Sequence, residues 1–362
     1  MRSGRWVKWI GGASNQDLAG IEDLAGIYSL AGVHCLDVAA DAAVVAAARR
    51  GMAWAEAQGA ARPWLMVSLS DGADPHFRKA WFDPRRCPPS CPRPCERLCP
   101  AQAIPPAAGN QGVLDERCYG CGRCLPACPN GLIEERSLLL SEAAVPPLLA
   151  RLRPDAIELH TRIGRAAAFA ARLQQVQAAA IPLRRLAVSC GVEVEGPAQA
   201  GVSRAGGSPA DVQAERLVAE LWERFAQVRQ ADFRPLWQLD GRPMSGDVGA
   251  GTARAAVSLL RRVASSLPPG PVQLAGGTNA SSLALVEVPA WGLAARVAGI
   301  AFGSVARVRL QGLLGEAQAR GGRLLDQADL LEQAMAIASG LVSPWLQRRR
   351  WLSPSPAAER CR

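Results

Sequence analysis

Short apolar runs recur along the chain, and most are separated by longer stretches in which apolar residues return every three or four positions. The runs Val7–Ile10, Val33–Ala39, Trp64–Leu69, Ala156–His160, Leu186–Ser189, Pro235–Leu239, Pro271–Leu274 and Gly299–Phe302 have the length and character of buried strands. Helical periodicity fills Asp17–Leu30, Ala42–Gln58, Ala166–Ala179, Pro209–Gln230 and Thr252–Leu267. Asp17 and Pro209 stand where helices start, and Gly32 and Gly59 where they stop. Eight strand–helix repeats predict an α/β protein with a (β/α)8 barrel. A doubly wound open sheet competes with it, because periodicity does not show closure. One segment, from about Asp71 to Pro147, breaks the alternation and reads as an insert after the third strand that takes the place of the helix due there. The expected organisation is residues 1–70 as the first part of the barrel and 71–147 as the insert. Residues 148–345 would then be the remainder of the barrel and 346–362 a basic, flexible tail.

The insert carries the strongest chemical signal. Cys118-Tyr-Gly-Cys121-Gly-Arg-Cys124-Leu-Pro-Ala-Cys128-Pro129 is a complete C-x2-C-x2-C-x3-C-P run, the bacterial ferredoxin pattern. Such spacing lets one tight loop wrap three thiolates around a 4Fe–4S cluster, with Gly120 and Gly122 allowing the backbone to approach the sulfides. The fourth cysteine of such a run reaches a second cluster. Upstream, Cys87, Cys91, Cys95 and Cys99 follow at four-residue intervals, and Cys99-Pro-Ala-Gln-Ala-Ile104 echoes Cys128-Pro-Asn-Gly-Leu-Ile133. The repeat predicts two pseudo-symmetric units with crossed ligation. Cys118, Cys121, Cys124 and Cys99 would hold one cluster, and Cys87, Cys91, Cys95 and Cys128 the other. The x3 spacings of the first run depart from the ferredoxin pattern, so its cluster could be of the 3Fe–4S type. Zinc is the competing metal, but its ribbons use paired C-x2-C knuckles across a longer gap. Cys35 and Cys190 sit in apolar runs and read as buried free thiols, and Cys361 as incidental.

Charge and composition narrow the function further. The net charge is +9, carried almost wholly by scattered arginines, since Lys8 and Lys79 are the only lysines. No zinc finger, homeodomain or aromatic RNA-binding motif accompanies them, so a solvated basic surface is expected and not a nucleic-acid partner. No apolar run approaches the ~20 residues of a membrane span, and no cleavable leader is visible. A cytoplasmic protein is expected, and there a cysteine-rich cluster means metal ligation and not disulfides.

In a barrel, the loops after the strand C-termini carry the chemistry. Gly276-Gly277-Thr278 and Gly303-Ser304, after the seventh and eighth strands, resemble phosphate-gripping loops and are candidate contacts for a flavin mononucleotide. Glycine pairs there also serve turns alone. Among the histidines, His34 reads as a packed strand residue, His76 opens the insert beside the clusters, and His160 points toward the barrel mouth.

Several strings flanking the cysteines carry a more specific likeness. They are Gly11-Gly12-Ala-Ser14-Asn-Gln-Asp17-Leu18, Leu36-Asp37-Val-Ala-Ala-Asp41, Trp64-Leu-Met-Val-Ser-Leu69, Asp74-Pro-His-Phe-Arg-Lys79, Cys91-Pro-Arg-Pro-Cys95-Glu-Arg-Leu-Cys99-Pro-Ala-Gln-Ala-Ile104 and Arg117-Cys-Tyr-Gly-Cys-Gly-Arg-Cys124. On these the chain, from roughly Trp6 to Leu346, resembles the cyanobacterial light-dependent-period family. The resemblance implies an iron–sulfur protein that reports redox state, and thereby light intensity, to the circadian clock. It implies the Kai oscillator and its input kinases as partners. It implies no catalytic residue.

Two functions follow. As a redox sensor, the protein takes electrons from the photosynthetic chain, directly or through a quinone, and one oxidation state binds a partner better. As an enzyme, it passes cluster electrons to FMN held at the barrel mouth. The absence of a lysine at a later strand end weighs against the enzyme, and the sensor is preferred.

Overall fold

A computed structural model describes residues 1, 3–106, 112–192, 208–242, 244 and 248–348. Eight parallel strands close into a barrel: β1 (Trp6–Gly12), β2 (Cys35–Ala39), β3 (Trp64–Ser70), β6 (Ala156–His160), β7 (Arg185–Cys190), β8 (Pro235–Asp240), β9 (Val272–Ala275) and β10 (Gly299–Phe302). Closure is made by β1 against β10, in the register Trp6↔Gly299 to Trp9↔Phe302. Between β3 and β6 the chain makes a small antiparallel ribbon, β4 (Arg78–Trp81) and β5 (Glu134–Ser137).

Around the barrel stand α1 (Leu18–Leu30), α2 (Ala42–Ala57), α5 (Val145–Leu152), α6 (Ala166–Ala178), α7 (Pro209–Gln230), α8 (Ala253–Val263), the short α9 (Ser282–Val286), α10 (Ser304–Ala319) and α11 (Ala328–Leu346). Two one-turn helices, α3 (Pro94–Leu98) and α4 (Cys124–Ala127), belong to the segment between β4 and β5. Capping explains the boundaries. Asp17 Oδ1 accepts from Gly20 N at 3.0 Å, and Asp41 Oδ1 accepts from Ala43 N at 2.8 Å and from Val44 N at 3.1 Å. Gly32 and Gly59, with φ of +91° and +87°, turn the chain out of α1 and α2.

The predicted barrel is the observed fold, and the open sheet falls away. One expectation fails. The insert does not cost the barrel its third helix, because α5 follows the ribbon and packs between α2 and α6. The expected end of the insert at Pro147 falls inside this helix. Pro146 and Pro147 both lie in the first turn of α5, where their missing N–H groups would have had no helical partner.

The apolar core lies mostly between the strands and the helical ring, built from residues such as Val7, Trp9, Leu36, Val38, Val188 and Leu239. At the barrel floor the chain is clasped. Arg348 donates to the carbonyls of Gly4 (3.1 Å), Val297 (3.2 Å) and Ala294 (2.6 Å), and Arg5 donates to the Arg348 carbonyl at 2.6 Å. Cys361 and the rest of the anticipated tail from 349 onward lie outside the described residues.

Candidate functional site

The cysteine segment packs against the barrel mouth. The Gln16 backbone N–H donates to the Glu116 carbonyl at 3.0 Å, and Lys79 donates to Gln16 Oε1 at 2.7 Å and to the Asp115 carbonyl. Arg117 reaches Gln318 Oε1 on α10 at 2.9 Å. Arg165, in the β6–α6 connection, bonds Asp71 at 3.2 Å and the Ala73 carbonyl at 2.8 Å. The segment has its own small core, in which Ala80, Phe82, Ala101, Ala103, Ile104, Tyr119 and Ile133 surround the cysteines.

The eight cysteines fall into two groups. Cys99, Cys118, Cys121 and Cys124 line one pocket, closed by Ala80, Ala101, Ala103 and Ile104. Burial, followed by the neighbouring Cys121, Cys118 and Cys99, pushes the Cys124 thiol up to about 12. Cys87 is raised by burial and then by Cys91, with Cys128 adding to it, and Cys128 also acts on Cys95. These neighbours are the ones that the expected crossed ligation would need. Backbone N–H groups already point at sulfur: Ala80 N donates to Cys118 Sγ at 3.3 Å, Ala103 N to Cys99 Sγ at 3.2 Å and Leu132 N to Cys128 Sγ at 3.4 Å. Gly120, at φ +73°, has no room for a side chain, since a Cβ would overlap the Arg78 carbonyl and lie 2.8 Å from that of Pro75. Grouped thiols, donors aimed at sulfur and a loop that excludes side chains fit iron–sulfur clusters, which require thiolates and benefit from such bonds.

Tyr119, next to Cys118, joins this pocket to the barrel. Its buried ring carries the Arg307 guanidinium 4.2 Å above it, and Arg307 donates to the Ile10 carbonyl at 2.7 Å. Ile10, Gly12, Arg307, Gly276, Gly277, Thr278, Gly303 and Ser304 line one cavity at the mouth, together with Glu158, His160, Asp240 and Arg242. The five loop residues expected to meet a phosphate are therefore together. Two of them already have structural work. The Thr278 hydroxyl donates to the Ala301 carbonyl, and a Cβ on Gly276 would lie 2.7 Å from Gly241 N.

Inside the barrel runs a polar column that the sequence reading missed. Lys8, with no exposed surface, is paired with Asp37 at 2.9 Å and with Glu158. Glu158 Oε1 accepts from Gln238 at 2.8 Å, Gln273 donates to Gln238 Oε1 at 2.6 Å, and the Trp6 indole donates to Gln273 Oε1 at 2.8 Å. A lysine in the middle of Trp-Val-Lys-Trp-Ile was the available signal, since a buried charge demands a partner. At the top, Glu158 Oε1 meets His160 Nε2 at 3.1 Å. Burial alone would lower the His160 pKa. The bond to Glu158 and the charges of Asp74, Glu158 and Asp240 outweigh it and hold the ring at about 9. Lys8 and His160 bring Glu158 down to about 2 against its burial, while burial pushes Asp240 up to about 6. His76 lies here too, its ring centroid 4.8 Å from that of His160. His34 packs on Trp6 near the floor, with Nδ1 accepting from Val7 N at 3.2 Å. Cys35 and Cys190 are buried in β2 and β7.

Comparison with known proteins bears on this arrangement. The model of the light dependent period A C-terminal domain matches residues 148–344, and the LdpA Fe-S cluster-binding domain matches residues 87–139. Light dependent period A of Synechococcus elongatus is 44% identical over 351 residues, covering 96% of this chain and 93% of that protein. The chain belongs to the light-dependent-period A family. It carries the family's iron–sulfur-binding domain, with all eight grouped cysteines inside the matched residues. Among the described residues no helix is long and apolar enough to cross a membrane.

Proposed function

We propose that the protein is a cytoplasmic two-cluster redox sensor that conveys light-dependent redox state to the circadian clock. The observation that carries the reading is the separation of eight cysteines into two groups of four, one of them in contact with the barrel mouth through Tyr119 and Arg307. When bound, the clusters supply one-electron chemistry. The chain's own residues do the rest. N–H groups of Ala80, Ala103 and Leu132 meet the sulfurs, and the Ala80–Ile104 wall keeps water from one group. Arg307 faces that group on one side and the mouth on the other, so a change of charge among the thiolates alters the field at the mouth. The name of the Synechococcus relative supports a role in light-dependent period; the family resemblance implies the Kai oscillator and its input kinases as partners.

The test is affinity in two oxidation states. Protein purified without oxygen is poised oxidised or dithionite-reduced, and its binding to each purified clock component is measured. One component should bind the two states with affinities differing at least about tenfold, or ~1.4 kcal/mol. Equal affinity for all of them would sink the sensor. A second reading, FMN at the mouth, has in its favour that Gly276, Gly277, Thr278, Gly303 and Ser304 share one cavity with Arg242 and Arg307. Acid release of a yellow flavin from the purified protein would decide for it.

A further inference from the structure

The mouth holds a second set of metal-binding side chains. Asp74 and His76 lie on the turn that leaves β3 for the cysteine segment, and His160 ends β6. One ligand atom from each lies within 4.8 Å of the others. Asp74 Oδ1 is 2.7 Å from His76 Nδ1 and 4.0 Å from His160 Nδ1. Tetrahedral ligands about 2.0–2.2 Å from a common ion stand roughly 3.3–3.6 Å apart, so binding needs the Asp74–His76 pair to open and His160 to close by less than about 1 Å each. We propose that Asp74, His76 and His160 bind a divalent first-row transition-metal ion, apart from the eight cysteines and independent of the sensor reading.

Two features favour an ion over an ordinary ion pair. An Asp–His pair needs one imidazole, whereas here two imidazole nitrogens converge on one carboxylate oxygen. His160 is oriented as ligating histidines are. Its Nε2 is held at 3.1 Å by Glu158, which Gln238 and Lys8 fix in turn, so Nδ1 is left facing Asp74. The Phe77 edge, 5.2 Å from the ring, holds it in that orientation. The Asp74 and Asp240 carboxylates border the pocket that His76 and His160 line, and Arg162, 4.0 Å from Asp74 Oδ2, and Arg242 balance their charge. Two imidazoles with one carboxylate select the transition metals over calcium or magnesium. Three protein ligands would leave further coordination positions for a small molecule, and Ser189 and Arg242 line the same pocket.

Cobalt(II) is the probe, because its visible bands distinguish nitrogen and oxygen ligands from thiolate. It is titrated into cluster-replete protein under anaerobic conditions. We expect one saturable equivalent with ligand-field bands and no thiolate-to-cobalt charge transfer. His76→Ala and Asp74→Asn should each weaken binding at least about tenfold. His76 is partly exposed, and an unchanged cluster spectrum verifies that each variant is folded. Absence of saturable binding, appearance of thiolate charge transfer, or undiminished affinity in both folded variants would overturn the site.

Discussion

The two groups of cysteines share a sequence repeat but not an environment. Cys99, Cys118, Cys121 and Cys124 sit behind an apolar wall and against the barrel, and Cys118 and Cys124 are buried. Cys87, Cys91, Cys95 and Cys128 lie among exposed Pro88, Pro89, Ser90, Pro92 and Asn130, with Cys95 alone buried. Exposure and hydrogen bonding to sulfur both tune a cluster's potential, so the two surroundings would give clusters held there unequal chemistry beyond the difference in spacing. The inner group packs against the barrel, and the outer one lies nearer solvent.

Removing ligands tests the separation most severely. Cys118→Ser and Cys91→Ser should each lower iron by roughly half, leaving different electron paramagnetic resonance signals behind. Identical residual signals would mean that the groups are not independent. The next largest contrast uses two glycines of positive φ. Gly120→Ala must displace the Pro75–Arg78 backbone and should cost about 3 kcal/mol, measured by denaturant unfolding. Gly131→Ala, near Cys128 with nothing within 4 Å of a Cβ, should cost about 1 kcal/mol. On exposure to air, bleaching should be biphasic. The signal that survives in Cys118→Ser should disappear severalfold faster than the one that survives in Cys91→Ser. The smallest effect is electrostatic. Arg307→Gln removes the cation stacked on Tyr119, the neighbour of Cys118, and should lower the inner potential on the order of tens of millivolts, leaving the outer one unmoved in a redox titration.

The barrel strands and the grouping of the eight cysteines were legible because both are written in local spacing. Short continuous apolar runs mark strands that are buried on both faces, and Cys-Pro endings mark each half of the repeat. The docking of Tyr119 beneath Arg307 was not legible, since the two are brought together only by barrel closure. Nor was the convergence of Asp74, His76 and His160, which depends on how the chain leaves β3 beside the end of β6. Lys8 was visible as an anomaly, yet its partners Asp37 and Glu158 come from two other strands. The helix α5 was missed because the insert was expected to run to Pro147 and to replace it, whereas both prolines belong to its first turn.

The column inside the barrel has a direction, as a wire with a diode has. An indole can only donate, so Trp6 obliges Gln273 to turn its oxygen toward the floor and its amide hydrogens toward Gln238. Gln238 must then do the same, and its hydrogens arrive at Glu158. The two amides cannot be reversed singly. A tryptophan at the closed end of the molecule thus dictates that the carboxylate at the open end be an acceptor, and Glu158 meets His160 in that state whatever approaches from outside.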